Sequence, residues 1–363
     1  MSAALDAVPS WFWTALAAVL GAVVGSFLNV CIHRMPRDES IVRPRSRCPG
    51  CRATLAWHDN LPLLSWILLG GKCRGCGMRI SPRYAIVEIA TALLFVAIWR
   101  VFAPAEAFAY TLFACGLVAA TFIDFEHFII PDRITLGSVL AGVFLSGMTP
   151  SLQNAERHSA GALWSLAGAA VGYATLRLVV EIGKKIFGVK RIEFPHPTEV
   201  FLTPEGLRFG DESEAWENIF SRESDELRFG AIGVRLGERT WDRAVIRVRW
   251  KEARVNDESF PLESLGELMA VTKRIEIPRE AMGLGDVKFL AGIGAFLGPQ
   301  AIFFVILISS ILGSAIGLLM MLAAKRGWGF KIPYGPYLAA AALLWLFSGS
   351  AWWSAWTRGL SLF

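Results

Sequence analysis

Charge is what this chain has least of. Asp, Glu, Lys and Arg make up 18% of its 363 residues, against about a quarter in soluble domains. From Phe289 to Ala324 there is no charged residue at all. With 54% hydrophobic residues, 14 Trp and 24 Phe, and a mean hydropathy of +0.46, this excludes an ordinary soluble enzyme and predicts an integral membrane protein. The N-terminus lacks the basic start of a cleaved signal peptide. There is no internal repeat and no low-complexity tract. The six cysteines are not spread like a disulfide scaffold. The net charge of +5 sits in short basic blocks beside apolar segments. That distribution argues against nucleic acid as a partner and for loops facing anionic lipid.

A spanning helix needs about 20 mostly apolar residues. The sequence predicts spans near 11–32, 84–102, 105–123, 133–149, 159–182, 284–298, 300–324 and 333–350. Gly298-Pro299 splits the long uncharged run, because proline removes a helix donor and disfavours helix in the residue before it. Arg34 and Arg37 follow the first span, which predicts an outside N-terminus. Eight spans then place 33–83, 124–132, 183–283 and 325–332 inside, with Arg43, Arg45, Arg47, Lys184, Lys185, Lys190, Lys325, Arg326 and Lys331 among their basic residues. The outside loops hold little beyond Arg100, Arg157 and Arg358.

The expected fold is therefore an all-α polytopic membrane protein of about eight transmembrane helices, with a cytoplasmic zinc-knuckle loop and a small β-rich cytoplasmic insert. Its parts are the first helix (1–32), a tetracysteine loop (33–83), helices two to five (84–183), the insert (184–280) and helices six to eight (281–363). Strand-like alternation in AVIRVRW (244–250) and turn signals at TPEG and RLGE support the insert. One helix is expected in it near 261–273.

Two C-x-x-C pairs, Cys48/Cys51 and Cys73/Cys76, offer four thiolates at a spacing that suits tetrahedral Zn²⁺. Four thiolates leave no open coordination position, so the site would be structural. Two unligated reduced pairs, or a redox role, are the competing readings. Cys31 and Cys115 read as buried thiols inside helices.

Two acids flank spans on the inside face. Asp124 ends the third span, and Asp286 opens the sixth within Gly283-Leu284-Gly285-Asp286. A carboxylate at that depth is costly and marks a functional site by default. Two brought together would share one proton, as aspartyl hydrolysis requires. Each could instead be a helix cap or an ion-pair partner, and proton-coupled transport would use similar acids. Asp132 reads as an N-cap and Lys288 as a snorkelling cation. Glu126 and His127 read as solvated loop residues. Glu88 is either a buried functional acid or an interfacial one.

Five stretches carry a resemblance: GSFLNVCIHRMP (25–36), CPGC with WHDNLPLLSWILLGGKCRGCGMRISPRYAIVEIATALLF (57–95), IDFEHFIIPDRIT (123–135), EAMGLGDVKFLAGIGAFLG (280–298) and IPYGPYLA (332–339). In this order they resemble the type IV prepilin peptidases, membrane aspartyl proteases of the G-x-G-D class. The resemblance implies removal of the leader from prepilins or type II secretion pseudopilins at the cytoplasmic face of the bacterial inner membrane. Asp124 and Asp286 match the catalytic aspartates, and Cys48, Cys51, Cys73 and Cys76 the zinc ligands. It also implies methylation of the new N-terminal amine with S-adenosylmethionine. There is no glycine-rich phosphate or dinucleotide fingerprint, so spacing places no methyl-donor pocket. The insert of about ninety residues, 190–278 by the span reading, departs from the family pattern. It could dock pilus or secretion assembly components, restrict substrate access, or be passive.

Overall fold

The computed structural model describes residues 9–187, 189–210, 212–220, 225–278, 283–324 and 332–360. The expectations for Lys325, Arg326, Lys331 and the Glu280-Ala281-Met282 lead into the Gly-Leu-Gly-Asp stretch lie outside the described residues. Contacts divide the chain into two units, Met1–Leu176 with Leu284–Phe363, and Arg177–Gly283.

The long helices are α1 (Ser10–Arg34), α3 (Arg83–Val101), α4 (Pro104–His127), α5 (Asp132–Met148), α6 (His158–Phe187), α8 (Leu284–Leu297), α9 (Pro299–Ala324) and α10 (Gly335–Leu360); α2 (Leu64–Leu68) and α7 (Trp216–Ile219) are short. Five segments are long and apolar enough to cross a membrane by length and composition: Ser10–Arg37, Arg83–Val101, Pro104–His127, His158–Lys184 and Pro299–Ala323. This is the make-up of a multi-pass membrane protein.

The helix ends follow local chemistry. Pro104 opens α4 at the first helical position, where its missing N–H costs nothing. Phe128, in the left-handed region at φ 55°, closes α4 and returns its N–H to the Asp124 carbonyl. Between α8 and α9, Gly298 takes φ +80° and donates its N–H to the Gly294 carbonyl at 2.8 Å. Pro299 then starts the next helix, so the long uncharged run is split where the sequence indicated.

Helix α4 packs on α1, α3, α5 and α10. Small residues set the closest approaches, as expected where lipid supplies no hydrophobic drive between helices. A Cβ on Gly168 of α6 would stand 2.1 Å from the Gly294 carbonyl oxygen of α8, and one on Gly294 would stand 2.2 Å from that of Gly168. The two backbones are in mutual contact, and no other residue fits at either position.

The second unit contains an eight-stranded antiparallel sheet in the order β3-β2-β1-β8-β4-β5-β6-β7. The strands are β1 (Val189–Leu202), β2 (Gly206–Phe209), β3 (Glu212–Ala215), β4 (Leu227–Leu236), β5 (Arg239–Arg249), β6 (Glu252–Val255), β7 (Glu258–Pro261) and β8 (Leu268–Pro278). Along β5, Ala244, Ile246 and Val248 are buried while their neighbours are not, which is the period of two that AVIRVRW displays. Gly237, at φ +57°, makes the turn into β5. Trp216 stacks on Phe220 with ring centroids 5.5 Å apart and donates its indole N–H to the Thr203 carbonyl.

The helix expected near 261–273 is absent. Leu262–Ser264 is a single 3₁₀ turn, and from Leu268 the chain is β8, paired with both β1 and β4. Val271, Thr272, Ile275 and Ile277 make this stretch β-branched, and such side chains favour a pleated surface over a helix. His196 lies in β1 between Pro195 and Pro197, where the register with β8 shifts between Glu193 and Thr198. Two residues without N–H groups cannot serve the ladder there.

Candidate active site and metal centre

Asp124 lies in the last turn of α4 and is 5% exposed. Its Oδ2 accepts the Gly335 backbone N–H at 2.9 Å. A Cβ on Gly335 would stand 2.8 Å from that oxygen, so the absence of a side chain is what lets the α10 backbone reach the carboxylate. In the sequence the only signal for Gly335 is the Tyr334-Gly335-Pro336 turn before an apolar helix.

Asp286 lies in the first turn of α8. Its Oδ1 is buried and has no hydrogen-bond partner among the described residues. The two carboxyl groups are close enough for the charge of Asp124 to act on Asp286. Ile130, in the turn between α4 and α5, touches both sides. Its Cδ1 is 3.0 Å from the Cβ position of Gly335, and its backbone N and O are 3.4 Å from the Cβ position of Gly285. A carboxylate held by a backbone donor beside one with an unused oxygen can share a proton and bind one water molecule.

Charged neighbours surround the pair. Lys288 does not snorkel: its Nζ donates to Asp132 at 2.7 and 2.8 Å, tying α8 to α5. Asp132 is not the N-cap; that position is Pro131, and no side chain caps the helix. The ring of Pro131 fixes the entry φ at −60°, and the Asp132 carboxylate is left for the lysine. Glu126 is not merely solvated, since Arg83 at the start of α3 donates to both its oxygens. His127 carries a buried Nε2 without a partner among the described residues. Glu88 is buried and accepts the Leu63 N–H at 2.8 Å.

The four cysteines of the loop gather so that their sulfurs lie within 4.8 Å of one another. Cys48 Sγ and Cys76 Sγ are 3.7 Å apart. The two knuckles repeat one backbone pattern. In the first, Cys48 N–H donates to Ala53 and Arg52 N–H to Cys48; in the second, Cys73 N–H donates to Met78 and Gly77 N–H to Cys73. Arg52 and Gly77 both have positive φ, 57° and 70°, and each follows its second cysteine. The Cys51 backbone N–H directed at Cys48 holds that thiol at about 7, against the opposing effect of burial. These four residues could bind a metal ion. Cys31 is buried and Cys115 half-buried.

Residues 19–102 match the family model for the bacterial peptidase A24 N-terminal domain. Residues 111–211 and 264–318 match that of the type IV leader peptidase family; the interval between them holds β3 to β7. A Myxococcus xanthus protein named prepilin leader peptidase/N-methyltransferase is 45% identical over 186 residues, which span 50% of this chain and 53% of that protein. Proteins of the same name are 29% identical in Aeromonas hydrophila, over 94% of both chains, and 30% identical in Stutzerimonas stutzeri, over 91% of this chain and 89% of that one. No solved structure matches. Two carboxylates at one end of a helical bundle, a tetracysteine loop and these matches lead to one conclusion: the chain belongs to the type IV leader peptidase family.

Proposed function

We propose that this protein is an aspartyl endopeptidase of the bacterial inner membrane, which removes the leader from type IV prepilins or type II secretion pseudopilins and methylates the new N-terminus. In this reading all eight long helices cross the bilayer, with the active site facing the cytoplasm. The observation that carries it is the buried Asp286 Oδ1, without a partner among the described residues, beside Asp124, whose own oxygen is held by Gly335. Asp124, fixed as a hydrogen-bond acceptor, takes a proton from the attacking water. Asp286 donates to the scissile carbonyl, so the tetrahedral intermediate forms without a free oxyanion. The proton returns to the leaving amine through the same pair.

The donor set of the loop fits zinc. Tetrahedral Zn–S bonds of about 2.3 Å put sulfurs about 3.8 Å apart, and the Cys48–Cys76 separation is 3.7 Å. Cys48, Cys51, Cys73 and Cys76 would hold the ion, which cross-links the two knuckles and takes no part in hydrolysis. The family match leaves the proton-coupled transporter reading without support. Leader removal from a co-expressed prepilin, followed by gel shift, tests the proposal. Wild-type protein cleaves, and cleavage retained in Asp124→Ala or Asp286→Ala ends the dyad assignment.

A further inference from the structure

The strand registers place a row of charges across five strands of the sheet. Arg191 of β1 lies opposite Glu276 of β8, and Glu276 opposite Arg228 of β4. Arg228 lies opposite Arg247 of β5, and Arg247 opposite Arg254 of β6. All four arginines are exposed. Side chains directly opposite share a face about 5 Å apart, and like charges so placed destabilise the pairing. Acids answer the outer members: Glu276 pairs with Arg191, and Glu252 with Arg254 at 2.9 Å. Arg228 and Arg247, side by side, are in no ion pair among the described residues. An anion from outside the chain would offset their repulsion.

The position of the row narrows the anion. It lies two residues in from the paired Val189 and Pro278, about 7 Å along the strands. At this end the chain enters β1 and leaves β8. The apolar span His158–Lys184 stops shortly before Val189, and the intervening residues reach at most about 18 Å. Two residues beyond Arg247, the β5–β6 turn is Trp250-Lys251. Trp250 is 40% exposed, its ring centroid 6.4 Å from that of Phe220. An exposed indole among cations, next in the chain to an apolar span, matches a membrane–water interface.

We propose that this end of the sheet docks on the bilayer surface. The guanidinium groups of Arg228 and Arg247 take the phosphates of anionic phospholipids, which they match in charge and in bidentate geometry. Trp250 enters the headgroup layer. Five strands make the row about 19 Å wide, the scale of several headgroups rather than of one small anion. An acidic polypeptide would match the charge, but it gives no reason for the row to lie beside the end of the span. The inference concerns the insert alone and does not depend on the acid pair.

The test is hydrogen exchange, followed by mass spectrometry, of the full chain in nanodiscs of phosphatidylcholine, with and without phosphatidylglycerol. Peptides covering residues 247–254 are expected to exchange at least threefold more slowly with the anionic lipid, and peptides covering 203–209, at the other end of β1, equally in both. Strong salt removes the difference, as screening requires. The double variant Arg228→Gln with Arg247→Gln loses it, while exchanging in phosphatidylcholine as wild type does. Equal exchange of the wild-type peptides in the two lipids overturns the inference with no variant needed, and so does a difference that survives in the double variant. Slowing by added polyglutamate but not by phosphatidylglycerol assigns the row to an acidic polypeptide and likewise overturns it.

Discussion

The Gly335 N–H and the Asp124 Oδ2 meet at 2.9 Å, although 211 residues separate them in the chain. The bond joins the start of α10 to the end of α4 and fixes one carboxylate of the pair. Placing a methyl group at residue 335 puts a carbon 2.8 Å from the oxygen, so Gly335→Ala must move the carboxylate or the helix. Expected is at least a tenfold loss in leader-cleavage kcat with KM little changed, measured on purified prepilin. A variant as fast as wild type would show that this bond does not position Asp124.

Removing either acid is more severe. A positioned general acid or base contributes about 10²–10⁴-fold, and the two act as a unit. Asp124→Ala and Asp286→Ala are each expected to lose at least a thousandfold, and the double variant little more than either alone. Single-turnover cleavage of all three variants measures this directly, and additive losses would contradict a shared proton.

Metal content should be one Zn²⁺ per chain by atomic emission, and Cys48→Ser should reduce it. Thiolates are the ligands, and protons compete with the metal for all four of them. Zinc release to a chelator is therefore expected to accelerate on acidification from pH 8 to 6. A rate that is flat in pH would argue against thiolate ligation.

Gly168→Leu is expected to disrupt the α6–α8 contact, because its Cβ alone would sit 2.1 Å from a carbonyl oxygen. Overpacking of this kind costs about 1–3 kcal/mol or more. The thermal midpoint in detergent should fall by several degrees, with the zinc content unchanged. Equal midpoints would mean that the two helices slide apart without penalty.

What could be read in advance was what local chemistry determines. Apolar runs and Gly298-Pro299 mark helix ends, and β5 shows its period of two in the letters alone. The stretch 261–273 is no helix because the place of Leu268–Pro278 between β1 and β4 is set by partners far away in the chain. The same holds at the acids. Lys288 with Asp132, Arg83 with Glu126, and Gly335 with Asp124 are pairings between helices, and no spacing rule within one segment reveals them. The cysteine knuckles were legible because their four ligands come as two short local pairs.

The first and last strands of the sheet run side by side at its middle, with Val189 opposite Pro278. The sheet therefore begins and ends at one place, its own two termini held side by side by the ladder. A unit whose termini adjoin can be exchanged whole for another built the same way.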